Sequence, residues 1–362
     1  MKTDNIDALT GIRGIAAWMV VVYHFRTLMP AADSSNVLRL FDHGYLAVDL
    51  FFILSGLVLY INYHRKFEQL RLDEAVSFLL KRIARIYPLH LAILLLFIVN
   101  PVAILLFSSA GELGSRYSIE YFVMSLFLVQ NWGFTPWVEW NIPAWSISTE
   151  FAAYLLFPLL VLGVKRGAGL GRWLLPSLYL LLLLGVAALY GLTGQASLDH
   201  SISRLGIARC LLEFTMGLIL GHYLSAHAQQ VQRQATRAFV LFGLLLAGTV
   251  LAAPVPDFLF APTLFTLLIV SLLDKRTLWS RVLASRPLVF LGEISYSTYM
   301  IHYFVKDWIK FLSDGIGAAE FAVYVTVVFV ASIALYRLIE LPFRSRLYER
   351  FSRFSGRSSL AQ

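Results

Sequence analysis

Arg13 and His24 stand eleven positions apart within one apolar run. At about 100° and about 1.5 Å per residue, that spacing returns both side chains to within roughly 20° of one helix face, about 16 Å apart. A guanidinium holds anions at any physiological pH, whereas an imidazole takes and gives protons near neutrality. Charged groups in a hydrocarbon setting cost several kcal/mol and persist mostly in interior pairs or pathways. Two carboxylates fall near the depth of His24: Asp49 at the start of the second apolar run and Glu150 about two turns into a later one. Lys81, Arg82 and Arg85 lead into the third run near the level of Arg13. The layout is polarised. An anionic ligand would be held by the basic group and worked on by the imidazole and carboxylates.

Other polar residues have structural readings. Arg209 and Glu213, four apart, are expected to neutralise each other on one helix. Arg337 and Glu340 read as a local pair, and Lys306 and Lys310 as side chains reaching outward to the headgroups. His43, His64, His200, His222 and His227 show no metal-ligand spacing, so no bound metal is expected. The single Cys210 excludes an internal disulfide.

The elements that must position these groups are membrane helices. Hydrophobic residues make up 58% of the chain and charged residues 14%, with a mean hydropathy of +0.70. A soluble domain has about half and about a quarter. The apolar residues come in runs near the roughly 20-residue length of a bilayer-crossing helix. The expected fold is an all-α polytopic bundle of about ten transmembrane helices, near residues 8–28, 45–61, 83–107, 143–162, 173–191, 204–224, 238–253, 257–273, 287–311 and 319–339. The net charge of +8 sits mainly in the connections between them, which makes it a topology signal and argues against a nucleic-acid partner. With both termini cytoplasmic, the inside connections carry most of the Lys and Arg, and the outside ones little beyond Arg39 and Arg116. Residues 118–131 are apolar but too short to cross, and read as re-entrant or interfacial. Trp132, Trp137, Trp140 and Trp145 follow as an expected aromatic belt. Residues 1–343 read as one membrane domain, and 344–362 as a basic, disordered cytoplasmic tail.

Five strings resemble a family. Leu9-Thr-Gly-Ile-Arg13 through Val-Tyr-His24-Phe is similar to the first-helix signature of the bacterial acyltransferase-three (acyltransferase family 3) membrane proteins, which O-acylate surface and secreted carbohydrates. Gly44-Tyr-Leu-Ala-Val-Asp49 through Ser55-Gly56 resembles the second-helix signature, and Lys81-Arg-Ile-Ala-Arg-Ile-Tyr-Pro88 the basic start of the third helix. Pro143-Ala-Trp-Ser-Ile-Ser-Thr-Glu150 resembles the Trp-Ser-x-x-x-Glu element, and Leu291-Gly-Glu-Ile-Ser-Tyr-Ser-Thr-Tyr-Met-Ile-His302 the late motif. Thr10 stands where many members have Asp, and Glu293 where Lys is common.

The resemblance implies a multi-pass protein of the bacterial inner membrane, with membrane lipid as partner, that moves an acyl group from cytoplasmic acetyl-CoA or another short acyl-CoA to a hydroxyl of a carbohydrate acceptor. The acceptor would be a lipid-linked glycan, O-antigen or exopolysaccharide. It implies that Arg13, Lys81, Arg82 and Arg85 meet the CoA phosphates and that His24 is the general base, with a transient acyl-His as the other route. Glu150 or Asp49 would orient the imidazole and stabilise its charged form. Ser55, Trp145, Ser146, Tyr296, Tyr299 and His302 are expected to line the substrate cavity. A proton-coupled transporter or flippase is the alternative for the same buried charges, although matching broken repeats are absent. A non-catalytic scaffold would leave Arg13, His24 and Glu150 buried without a reason.

Overall fold

A computed structural model of the chain describes residues 7–29, 41–107, 116–251 and 255–347. Helix α1 runs Asp7–Arg26, and α2 runs Ala47–Tyr63 after a tight turn at Gly44–Leu46. Helix α3 spans Leu72–Leu96 and α4 Val99–Phe107. The short α5, Ile119–Leu126, is followed by irregular backbone that ends at α6, Trp145–Leu170. Next come α7 at Leu174–Leu192, α8 at Ile202–Ala226, α9 at Ala228–Arg233 and α10 at Ala235–Leu251. The chain continues through α11, Ala261–Ser271, α12, Leu278–Leu283, α13, Arg286–Glu293, and α14, Ser295–Leu312. Helix α15, Ala318–Leu335, passes into a π-helical turn at Tyr336–Glu340 and stays helical to residue 347. The described residues contain no strand, as expected where lipid leaves the backbone to satisfy its own hydrogen bonds.

Among the described residues, seven helical stretches are long and apolar enough to cross a bilayer: Asp7–Arg26, Gly44–Lys66, Leu72–Phe107, Ile142–Leu170, Leu174–Leu192, Ile202–Ala226 and Ala318–Leu347. Helices form at the other three expected positions, but they are shorter or more polar. Helix α11 has 11 residues, and the expected helix over 287–311 breaks at Ile294 into α13 and α14. The third helix starts at Leu72, where Asp73 and Glu74 suit the positive N-terminal end of the helix dipole. Lys81, Arg82 and Arg85 therefore lie inside α3, two to four turns from its start, rather than in front of it. The outer connection expected to carry Arg39, and the tail from residue 348, lie outside the described residues.

The chain forms two compact units. The first contains the start of α1, residues 45–70, and the chain from late α6 through α13. Its centre is the crossing of α2 with α8. A Cβ built on Gly56 would lie 2.0 Å from the Phe214 carbonyl oxygen, and one on Gly217 2.0 Å from that of Ile53. Only glycine lets the two backbones approach so closely. Beside this crossing Arg209 donates to both Asp49 oxygens at 2.7 and 2.6 Å, with both side chains almost completely buried. Arg209 therefore pairs chiefly with Asp49 on another helix. Glu213, its expected partner, is 4.0 Å away.

The second unit contains residues 17–44, 71–154 and the chain from Ile294 onward. Its irregular stretch over 127–141 is tied down bond by bond. Ser148 Oγ donates to the Leu128 carbonyl (2.8 Å) and accepts from Asn131 N–H (3.1 Å), while Gln130 Nε2 donates to the Ala144 carbonyl (3.2 Å). Leu128, Gly133 and Trp140 turn the chain through left-handed backbone conformations. The tryptophans do not all form an outward belt: Trp137 is exposed, but Trp140 and Trp145 are buried, and Trp140 Nε1 donates to the Ser118 carbonyl.

Candidate active site

His24 lies in the last turn of α1 and His302 in the middle of α14, both in the second unit. His302 is completely buried, whereas His24 is half-buried. His302 Nδ1 sits 2.7 Å from the Tyr299 carbonyl oxygen, and His302 Nε2 is 3.1 Å from His24 Nδ1. A carbonyl oxygen only accepts, so His302 carries its hydrogen on Nδ1 and presents a lone pair at Nε2. His24 Nδ1, which also faces the Val20 carbonyl oxygen at 3.1 Å, is then the N–H that donates. The accounting leaves the lone pair of His24 on Nε2. One imidazole is held in the tautomer a base requires, and the second imidazole holds it there.

The same chain of contacts draws two of the sequence motifs together. The Tyr299 hydroxyl is 2.9 Å from both the Pro143 carbonyl oxygen and Ser146 Oγ. Asn141 Nδ2 donates to the Met300 carbonyl at 3.0 Å. The start of the Trp-Ser-x-x-x-Glu element is thus fastened to the helix that carries His302, and Trp145 is buried beside it. Ser146 and Tyr299, expected as cavity walls, are hydrogen-bonded to each other.

Glu150 is half-buried one turn further along α6. Together with Arg85 and Glu340 it lies within electrostatic reach of Tyr296, whose hydroxyl donates to the Ile86 carbonyl at 2.7 Å. Arg85 forms an ion pair with the buried Glu340, which also accepts from Ser297 Oγ at 2.9 Å. Glu340 is therefore not a local partner of Arg337. The π-helical turn over Tyr336–Glu340 ends on this residue, a kind of local irregularity common where a side chain must be aimed. Lys81 and Arg82 are half-buried on α3, with the Arg82 guanidinium 5.9 Å from the Phe78 ring centre.

Arg13, Asp49 and Ser55 belong to the first unit. The Asp49 carboxylate is committed there to Arg209 through a two-pronged bond, which is a structural use of a group read from sequence as a candidate orienter of His24.

Several polar groups near His302 were not singled out from sequence as site residues. Lys306, four positions on, does not reach outward. It is 7% exposed, with Nζ 3.4 Å from the Tyr303 ring centre and 3.9 Å from Asp307 Oδ1. Asp307 pairs with Arg116 at 2.6 Å, and the Tyr303 ring stands edge-on to His24 at 5.3 Å between centres. The spacing of His302, Lys306 and Lys310 at i, i+4, i+8 was the available signal. The partnership with Arg116, 191 positions away, had none.

An imidazole whose second nitrogen is held by an acceptor can remove a proton from a hydroxyl while its charged form stays oriented; in hydrolytic triads that acceptor is a carboxylate, and here it is a second imidazole. Comparison with known proteins places the chain in a family. The family described as "Acyltransferase domain" matches residues 6–337. The chain is 27% identical over 336 residues to the acyltransferase MdmB of Streptomyces mycarofaciens, covering 84% of this chain and 80% of that one. It is 23% identical over 373 residues to a putative O-acetyltransferase of Staphylococcus aureus, and 22% identical over 382 residues to the O-acetyltransferase OatA of the same species. These matches cover 95% and 96% of this chain but 58% of each staphylococcal protein, so the chain spans little more than half their length. No solved structure matches. The extent of the family match, on a chain with seven bilayer-length helices, makes this protein a member of the acyltransferase domain family and a membrane acyltransferase.

Proposed function

We propose that the protein sits in the bacterial inner membrane with both termini in the cytoplasm and transfers an acetyl or other short acyl group from cytoplasmic acyl-CoA to a hydroxyl of a carbohydrate acceptor. The observation that carries this reading is the imidazole pair, with the His24 Nε2 lone pair available and Nδ1 held by His302. His24 Nε2 takes the hydroxyl proton as the oxygen attacks the thioester carbonyl. The C–S bond then breaks and the sulfur leaves with that proton, giving an ester and free CoA. His302 keeps the His24 ring oriented throughout, a positioning role in place of the substrate contact expected for it. Glu150, in the same unit, is the carboxylate assigned to stabilise the imidazolium formed in transit.

The donor phosphates are assigned to Arg13, Lys81, Arg82 and Arg85. The Arg85–Glu340 ion pair supports a fixed orientation for that guanidinium rather than a freely moving one. Ser146 and Tyr299 hold each other, which favours their shaping the site over recognising a substrate.

The test is CoA release by the purified protein in lipid nanodiscs, coupled to mass spectrometry of cell-surface glycans from wild-type and deletion strains. Release of CoA from acetyl-CoA, with a glycan mass difference of one acyl group, is the expected result. A transporter or flippase would release no CoA and leave glycan masses unchanged.

A further inference from the structure

Beyond the imidazole pair, the second unit contains a cavity of about 360 Å³, within the usual range for small-molecule sites of roughly 300–1,000 Å³. Its walls include Asn100, Arg116, Tyr117, Asp307, Trp308 and Phe311. We infer that this cavity binds a pyranose ring of the acceptor. The inference rests on the acyl-transfer reading and adds to it the place and chemistry of acceptor recognition.

Three features point to a sugar ring. The first is a fixed aromatic surface. Trp308 Nε1 donates to Asn100 Oδ1 at 2.9 Å, and its ring packs against Phe304 and Phe311 at 6.0 and 5.7 Å between centres. An indole locked at its N–H and braced by two rings offers a rigid face to the C–H side of a pyranose. The second is a set of planar polar groups suited to neighbouring hydroxyls. Asp307 accepts from Arg116 at 2.6 and 3.4 Å, and a carboxylate has about four acceptor positions, so it has capacity for hydroxyl donors. Asn100 Nδ2 stands 3.3 Å from the Tyr117 hydroxyl and 3.5 Å from Asp307. A pocket built to receive a lipid tail has no use for a half-buried ion pair and an amide in its wall, because those groups would lose water without new partners.

The third feature is position. Arg116, in the cavity wall, lies over one side of the Tyr303 ring at 5.1 Å, and the same ring stands edge-on to His24 at 5.3 Å. A single aromatic residue therefore separates the cavity wall from the proposed base. Asp307 and Trp308 follow His302 by five and six positions on α14, a rise of about 8–9 Å toward the end of the helix at residue 312. With both termini cytoplasmic and ten crossings, the connection between the ninth and tenth expected helices, residues 312–318, faces outward, the side on which a surface glycan is met.

Saturation-transfer NMR tests the inference with the full-length protein in lipid nanodiscs, which avoids competition from glycoside detergents. The probes are methyl pyranosides of glucose, galactose, mannose and N-acetylglucosamine. At least one is expected to receive saturation, strongest at the ring C–H protons that face an aromatic surface. Trp308→Ala should weaken that binding about tenfold, the order expected for one lost stacked ring, while Trp308→Phe should retain most of it. No saturation of any probe, or equal saturation in a folded Trp308→Ala protein, overturns the inference. If Trp308→Ala does not fold, the Trp308→Phe protein and the pattern of saturated protons in the wild type decide. Sugar binding without CoA release would remove the acyl-transfer reading and leave the cavity, whereas CoA release without sugar binding would do the reverse.

Discussion

In the first unit, Arg209 and Asp49 face each other between α8 and α2 with almost no exposure, and every strong contact is internal. In the second unit, His24 and His302 also face each other between helices, but His24 is half-buried and has one nitrogen uncommitted by the tautomer accounting. Both are polar pairs between helices of a bilayer protein. What distinguishes them is capacity. The guanidinium and carboxylate satisfy one another, so the pair fixes helix packing. The imidazoles satisfy one another at one position only, which leaves a lone pair for chemistry. Buried charge alone does not mark an active site; the remaining hydrogen-bonding capacity does.

This contrast gives predictions whose effects should fall on different readouts. The largest is Arg209→Ala, which leaves Asp49 buried without its partner at a cost of about 3–5 kcal/mol. A thermal melt in nanodiscs should show a large loss of folded protein, with no specific change in the activity of what remains. Next, His302→Leu should lower turnover by about a hundredfold with folding and acyl-CoA binding kept, because His24 loses the acceptor that sets its tautomer. His302→Gln, whose side-chain oxygen also accepts, should restore part of that loss; equal losses for Leu and Gln would mean the contact does not act through a hydrogen bond. Gly56→Val forces a side chain into the Phe214 carbonyl and should cost about 1–3 kcal/mol of stability, read as a lower melting temperature with KM unchanged. The smallest effect belongs to Glu150→Gln. The amide keeps shape and loses charge, so turnover should drop about tenfold while the melt is unmoved. Unchanged turnover would remove Glu150 from the mechanism.

The helices were legible in sequence because bilayer length and apolar composition are local properties. Helices form at all ten expected positions, although among the described residues seven stretches are long and apolar enough to span. What the sequence obscured was where a helix stops being uniform. The break at Ile294 lies inside one apolar run with no proline to announce it, and α3 extends backwards through a polar stretch that a hydropathy reading treats as a connection. Site residues divided along the same line. Arg13 and His24 were visible because one helix carries both, and His302 because its motif did. The His24–His302 contact bridges 278 positions and the Arg85–Glu340 pair 255, and no local period encodes such pairings. Asp49 shows the same limit. Its depth was readable, but the partner that claims it was 160 positions away.

The most direct measurement compares acyl-CoA binding and single-turnover acyl transfer for wild type and His24→Ala in the same nanodisc preparation. The account predicts binding within about threefold of wild type, an unchanged melting temperature and a transfer rate at least about a hundredfold lower. Near-normal transfer by the folded variant would contradict the assignment of His24 as the base, and loss of binding together with transfer would place His24 in donor recognition instead.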